Sequence, residues 1–341
     1  MQTPPNAAPN ANDNPLAALV GLASGLWVSR ALWAAARLGI ADAVREEATP
    51  LAEISAKTGT HEGNLGRLMN VLVSAGVFAA AGPGRYAQGP LSPFLRSDHP
   101  LSQRAFIDAV FGGEHYASWG AIDQSLTGGT TAFDSVYGIP VFDWYSSHPD
   151  EAQLFSRAMG STTLLLEAAL LACWTPPAFE LAVDIGGSRG TLVSALLNRN
   201  PEARGILFDL PDIADAVRGA LPSPRMEAVG GNFFEAVPEG DLYLLKLILH
   251  DWTDEQSATI LGRIRSAIRP GGRVAIIENI LPEQVEPMNP GYLMDLNMMV
   301  MTGGRERTAS EFGVLLERTG FRVEAVTPTP LPMGVVQAVA V

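Results

Sequence analysis

Apolar residues follow two different spacings along the chain, and the change comes near residue 180. Before it the spacing is helical. Leu16, Leu19, Val20, Leu22, Leu26 and Trp27 lead into Ala31, Leu32, Trp33, Ala36 and Leu38, with a stop at Gly39. This is more apolar surface than one amphipathic face needs, so the helix is expected to be covered on both sides, in a subunit interface or a large intrachain core. Residues 40–44 continue helical and 50–59 read as a short helix with a glycine stop. Residues 62–75 read as a second helix with Leu65, Leu68, Met69, Leu72 and Val73 inward. Val77 and Phe78, a glycine-proline-glycine turn at 82–84, and Arg85 and Tyr86 then make a hairpin. The set predicts a winged helix-turn-helix. Its second helix presents Glu62, Asn64 and Arg67, a poor grip for phosphates, which favours a structural role over DNA reading. Residues 101–178 read as mostly helical. Phe155, Met159, Leu164, Leu165 and Leu166 form an apolar stripe there, core by default, although Phe155 and Met159 also suit the wall of a flat apolar pocket.

Beyond 180, short apolar runs alternate with helical patterns. A run at 181–185 meets Gly186, Gly187 and Gly190, a helix is expected over 191–198, and Pro201 stops it. The next run, 206–208, ends in Asp209, and an acid about 20 residues past a glycine turn is placed to hold a ribose diol. Further strands are expected over 225–229, 241–249 and 273–278, with helices over 213–218, 254–267 and 310–319. Two weaker strands follow near 321–326 and 335–341. The rhythm predicts an open, mostly parallel α/β sheet. Four of the expected strands end in a polar residue: Asp184, Asp209, His250 and Glu278. Ligands bind outside the carboxyl ends of such strands, and packing alone is a poor account of four polar ends.

The turn Gly186-Gly187-Ser188-Arg189-Gly190 lacks the G-x-G that wraps a pyrophosphate. An Asp-x-Gly-Gly-x-x-Gly order fits S-adenosylmethionine better, because that cofactor has ribose hydroxyls but no phosphate. The alternative is a turn whose glycines serve packing alone. Lys246 interrupts an apolar strand and either reaches the cofactor pocket or snorkels to the strand end. His250 titrates near neutrality and is the best candidate for a general base, with a structural histidine as the competing reading. Glu278 and Glu306 are the acids available to orient it. Glu306, between Arg305 and Arg307, otherwise reads as a surface ion pair.

Composition narrows the class. At 341 residues and 47% hydrophobic, the chain holds two domains with packed cores. Residues 1–14, rich in proline and asparagine, are expected to be a disordered tail. No stretch of 18 apolar residues runs without a charge, and no signal-peptide pattern opens the chain, so no membrane segment is expected. The one cysteine, Cys173, rules out an intramolecular disulfide or a cysteine zinc cluster, and a reducing cytoplasm is the simplest compartment. A net charge of −13 opposes nucleic acid and anionic membranes. No carboxylate cluster suits a magnesium ion, and no metal is expected.

Six runs occur in order: Asp184-Ile185-Gly186-Gly187, Leu207-Phe208-Asp209-Leu210-Pro211, Gly231-Asn232-Phe233-Phe234, Lys246-Leu247-Ile248-Leu249-His250-Asp251-Trp252, Ile277-Glu278-Asn279-Ile280-Leu281-Pro282 and Gly303-Gly304-Arg305-Glu306-Arg307-Thr308. With them the chain resembles, over nearly its whole length, the S-adenosylmethionine-dependent O-methyltransferases of the caffeic-acid type and their bacterial small-molecule relatives. The resemblance implies a Rossmann-like α/β methyltransferase domain at 179–341 and a mostly helical, winged-helix-like dimerisation domain at 15–100. Between them, at 101–178, it implies a helical connector contributing to the acceptor pocket. It implies His250 as base flanked by Glu278 and Glu306, and Gly186, Asp209, Asn232, Phe233 and Lys246 around the cofactor, where the polar strand end Asp184 is also expected. Met159 and Met298 fall where the family holds the acceptor ring. Two positions depart from the family: Ser188 stands where a third consecutive glycine is usual, and Asn232 where aspartate is usual. A homodimer acting on a small aromatic or polyketide-like hydroxyl is the expectation. The alternatives are a fold relative doing N-methylation, hydroxylation or decarboxylation, and a winged-helix regulator.

Overall fold

The structure is a computed structural model and describes residues 14–331 and 333–341, without the side chains of 162–168. Residues 1–13 of the expected tail, and Leu164, Leu165 and Leu166 of the apolar stripe, lie outside the described residues. The chain divides into two units, one ending at Tyr116 and the other spanning Ala117–Val341.

In the first unit a helix, Pro15–Arg37, starts where the Asn14 side chain accepts the Ala17 N–H and Pro15 occupies its first turn. Only Ala31, Ala35 and Ala36 of it are buried. Helices Leu51–Thr58 and Glu62–Ser74 enclose a core of Ile40, Val44, Ile54, Leu65, Met69 and Leu72. Arg85–Gln88 forms the middle strand of a three-stranded antiparallel sheet between Thr49–Pro50 and Phe78–Ala80. This unit runs past residue 100 to Tyr116. Helix Arg104–Val110 belongs to this unit because Asp108 ties it to Pro15–Arg37, by an ion pair with Arg37 at 3.3 Å and by its carbonyl to the Trp33 indole N–H at 3.2 Å.

The second unit carries a sheet whose strands we number within it: β1 Leu181–Ile185, β2 Arg204–Asp209, β3 Met226–Gly230, β4 Gly240–Lys246, β5 Ile268–Leu281, β6 Phe321–Pro328 and β7 Met333–Ala340. Their order is β6-β7-β5-β4-β1-β2-β3. The strands β1 to β5 run parallel, and β7 inserts antiparallel between β5 and β6. Period-2 alternation buries both faces. Ala182, Leu244 and Ala275 join the core on one side; Val183, Leu245 and Ile276 join the core on the other. Chain order reverses between β1 and β4, which makes their carboxyl ends the switch point where α/β sheets take ligands. The short strand Arg307–Thr308 pairs with the far end of β5, Ile280 against Arg307.

Two strand ends differ from expectation. β4 stops at Lys246 rather than running to 249, because Leu247 adopts a left-handed φ of 55° and no regular strand passes through it. His250 therefore sits in a 3₁₀ turn, Leu249–Asp251, beyond the strand. Glu278 is not terminal either, since β5 continues to Leu281.

Candidate active site

The glycine turn after β1 is shaped by close approach. Gly186 has φ 64°, and a Cβ there would meet the Ile248 side chain at 2.5 Å; a Cβ on Gly187 would meet the Asp184 carboxylate at 2.8 Å. Ser188 takes φ 52°, a conformation glycine adopts more easily, and its N–H donates to Asp209 Oδ2 at 2.8 Å. The Leu210 N–H donates to Oδ1 of the same carboxylate at 2.8 Å. Burial raises the Asp209 pKa, and these two N–H groups oppose the rise. Asp209 thus stands fixed at the end of β2, beside the turn, with lone pairs left for a diol. Asp184 lies deeper, and burial lifts it to about 7 against the pull of Lys246. Lys246, the last residue of β4, is lowered by burial, with Asp184 opposing. Phe233 meets Trp252 edge-on, with ring centroids 5.9 Å apart. Asn232 is exposed and spends its Oδ1 on the Phe234 N–H at 3.0 Å, capping its own turn.

Across the switch point, His250 and Glu306 are both buried, and His250 Nδ1 is 2.9 Å from Glu306 Oε1. Nδ1–H donates to the carboxylate, so when the ring is neutral Nε2 is the nitrogen left to accept. Asn279 Nδ2 donates to the same Oε1 at 2.8 Å, and Asp295 Oδ1 accepts the Glu306 N–H at 2.8 Å. Asp251 Oδ1 lies 3.9 Å from Nε2. Burial alone would lower the His250 pKa, but Asp251, Glu306 and Glu278 outweigh it and lift it to about 9. Burial raises Asp251 to about 6 and Glu278 to about 7.

Glu278 corrects an expectation. Its Oε1 accepts the backbone N–H groups of Ile248 at 3.2 Å, Leu249 at 2.6 Å and His250 at 3.2 Å. It caps the turn that carries the histidine and makes no hydrogen bond to the imidazole. Glu306 is no surface ion pair: Arg305 turns outward to Glu311, and the fully buried Arg307 turns inward. Arg307 donates to the carbonyls of Leu249 at 3.0 Å and Trp252 at 2.9 Å, and pairs with Asp254 at 2.9 Å.

Of the expected acceptor residues, Met298 is buried on helix Gly291–Met301. Phe155 and Met159 are half-buried on helix Pro149–Cys173, and Phe155 stacks on Tyr145 at 5.0 Å. Phe155 packs against an aromatic cluster that includes Val300 and Met301 of the Met298 helix. Asp251, Asn279 and Arg307 stand in the quoted runs, but their roles, and Asp295 altogether, escape the sequence reading, because each acts through a contact that spacing does not show.

Fold and site together define an α/β architecture with a glycine turn and a fixed carboxylate at the ends of β1 and β2, where sheets of this kind take ligands. Residues 119–322 match the O-methyltransferase domain, residues 20–98 match the O-methyltransferase dimerisation domain, and the chain belongs to the O-methyltransferase family. It is similar to a phenazine O-methyltransferase of Lysobacter antibioticus, 38% identical over 94% of this chain and 95% of the relative. It is also similar to a 3-amino-4-hydroxybenzoate 4-O-methyltransferase of Streptomyces cremeus, 36% identical over 92% of this chain and 87% of the relative. Among solved structures, human N-acetylserotonin methyltransferase in complex with S-adenosylmethionine superposes with a TM-score of 0.89 at 25% identity, covering 98% of this chain and 99% of that one. The chain is an enzyme, and the methyl donor of its family is S-adenosylmethionine.

Proposed function

We propose that the protein methylates a hydroxyl of a small aromatic or polyketide-like metabolite, with His250 as general base. The observation that carries this reading is the buried 2.9 Å contact between His250 Nδ1 and Glu306, just beyond β4 and across from the glycine turn. S-adenosylmethionine, when bound, supplies an electrophilic methyl on a sulfonium. The glycine turn and the Asp209 carboxylate suit its ribose, and Lys246 and Phe233 would add further contacts. The exposed Asn232 is the weakest of the expected contacts. A phenol pKa near ~10 leaves little phenolate at neutral pH. The acceptor hydroxyl therefore gives its proton to Nε2 of the neutral His250 ring, the minority form at pH 7, while Glu306 holds Nδ1–H and stabilises the imidazolium that forms. Glu278 keeps the turn in place through backbone N–H groups. Met298, Phe155 and Met159 would wall the acceptor side.

The same reading takes the N-terminal unit as a structural winged helix that forms a homodimer and binds no DNA, and places the enzyme in the cytoplasm, where Cys173 stays reduced. The first acceptors to try are those its relatives suggest, 3-amino-4-hydroxybenzoate and hydroxylated phenazines. With any acceptor found, His250→Gln should leave S-adenosylmethionine affinity by calorimetry within twofold of the parent, while transfer at pH 7 falls by about 10²-fold or more. The deficit should narrow with acceptors acidic enough to be ionised already. Near-parental turnover of His250→Gln on an unionised phenol would remove the base assignment.

A further inference from the structure

The Glu306 carboxylate is buried completely, and its two oxygens are treated unequally. Oε1 faces two donors, His250 Nδ1 at 2.9 Å and Asn279 Nδ2 at 2.8 Å; Oε2 is buried and has no hydrogen-bond partner among the described residues. A buried charge depends on the few donors it has, so one side-chain amide supplies a large share of the stabilisation here. Asn279 is buried on β5 next to Glu278, and the pairing of Ile280 with Arg307 sets Glu306 against it. β5 therefore serves both halves of the pair, Glu278 through the backbone of the histidine turn and Asn279 through the carboxylate.

We propose that Asn279 is a positioning residue for the His250–Glu306 pair: its amide fixes Glu306 on the imidazole and takes part of the carboxylate charge, so that His250 can give up its proton during turnover. The proposal rests on the reading of His250 as base. The charged groups facing His250 are Asp251 from its own turn, Glu278 from β5 and Glu306. Arg307 lies against the same turn, and Asp295 holds the Glu306 backbone. Without the Asn279 donor, the charge on Oε1 is met by the imidazole alone, which holds its proton more tightly.

Two variants test this. Asn279→Leu keeps the shape and loses the donor; Asn279→Ala removes the donor with no hydroxyl left to replace it. NMR of histidine-labelled protein, with the His250 signal identified by its absence in His250→Gln, should show the His250 titration moved up by about 0.5–1 unit in both variants. The acid limb of kcat should move with it, and kcat at pH 7 should fall roughly three- to tenfold with S-adenosylmethionine affinity unchanged. A titration that stays put or moves to acid overturns the proposal. The NMR reading does not depend on His250 being the base. If His250→Gln proves active, the base reading fails alone, while the titration still reports whether Asn279 governs the pair.

Discussion

At the scale of single residues, the site is built by contacts between positions far apart in sequence, and that decided what could be read beforehand. His250 and Asp209 carried a local signal, a titratable or acidic group just past an apolar run. Asn279 did not, because its role appears only when Glu306, 27 positions away, comes within 2.8 Å. Glu278 was recognisable as an important acid, but its use was not: a carboxylate collecting three backbone N–H groups looks in sequence like one aimed at a ring. Gly304 is a further case. A Cβ there would lie 2.0 Å from the His250 carbonyl oxygen and 2.4 Å from the Asp251 carbonyl carbon. Backbone cannot swing aside as a side-chain tip can, so Gly304→Ala must push the Glu306 loop away from the histidine turn. A misplacement of that order is expected to cost about 10²-fold in turnover. Thermal unfolding and kcat measured together would check it, and a Gly304→Ala enzyme with parental kcat would show that the loop tolerates the displacement.

At the scale of elements, the apolar rhythm located each of the strands β1 to β7, because alternation and burial of both faces leave a strong trace. It missed the end of β4, where Leu247 turns left-handed with a side chain that gives no warning. It also missed the extent of β5, whose last residues are held by Arg307–Thr308. The carboxyl ends of these strands gather buried titratable groups, with a consequence for stability. Asp184 has its pKa lifted by burial from 3.8 to about 7, so the folded protein keeps a proton there that the unfolded chain releases from about pH 4 upward. Its contribution is fully present below about pH 4 and is lost as pH rises through about 7. His250, raised from 6.5 to about 9, extends the same loss: its contribution is present below about 6.5 and gone above about 9. Both act in one direction, so the urea midpoint should decline steadily from pH 5 to pH 9. Asp184→Asn should make the part between pH 5 and 7 shallower, with Asp251 and Glu278, raised to about 6 and about 7, supplying the slope that is left. A midpoint that rises over this range, or a slope between pH 5 and 7 untouched by Asp184→Asn, would contradict the assignment.

At the scale of the whole molecule, the open question is what covers helix Pro15–Arg37. Leu16, Leu22 and Trp27 are each more than two-thirds exposed, at 71%, 78% and 75%, and Leu19 and Leu26 are more than half exposed. Among the described residues this is the one helix long and apolar enough to cross a membrane, which the sequence rule of an unbroken uncharged run did not flag. Two observations favour a protein partner over lipid. The dimerisation-domain match begins at residue 20 and takes in most of the helix. The end of the helix is tied into its own unit, with Arg30 stacked over Trp33 at 3.9 Å and Tyr116 at 4.0 Å, and Arg37 paired with Asp108. A homodimer brings two copies of the apolar face together. Burying a large apolar side chain fully is worth ~1.5–3 kcal/mol, so five per copy give a gross gain on the order of 15–30 kcal/mol. Association costs an estimated 4–15 kcal/mol. The balance favours a stable dimer at micromolar concentration. Light scattering should give twice the chain mass, and Leu22→Glu with Trp27→Glu should give a folded monomer at the same concentration. Flotation with anionic vesicles should leave the parent protein unbound. A parent protein that is monomeric, or one that floats with the vesicles and is released by the double substitution, would assign this helix to a different surface.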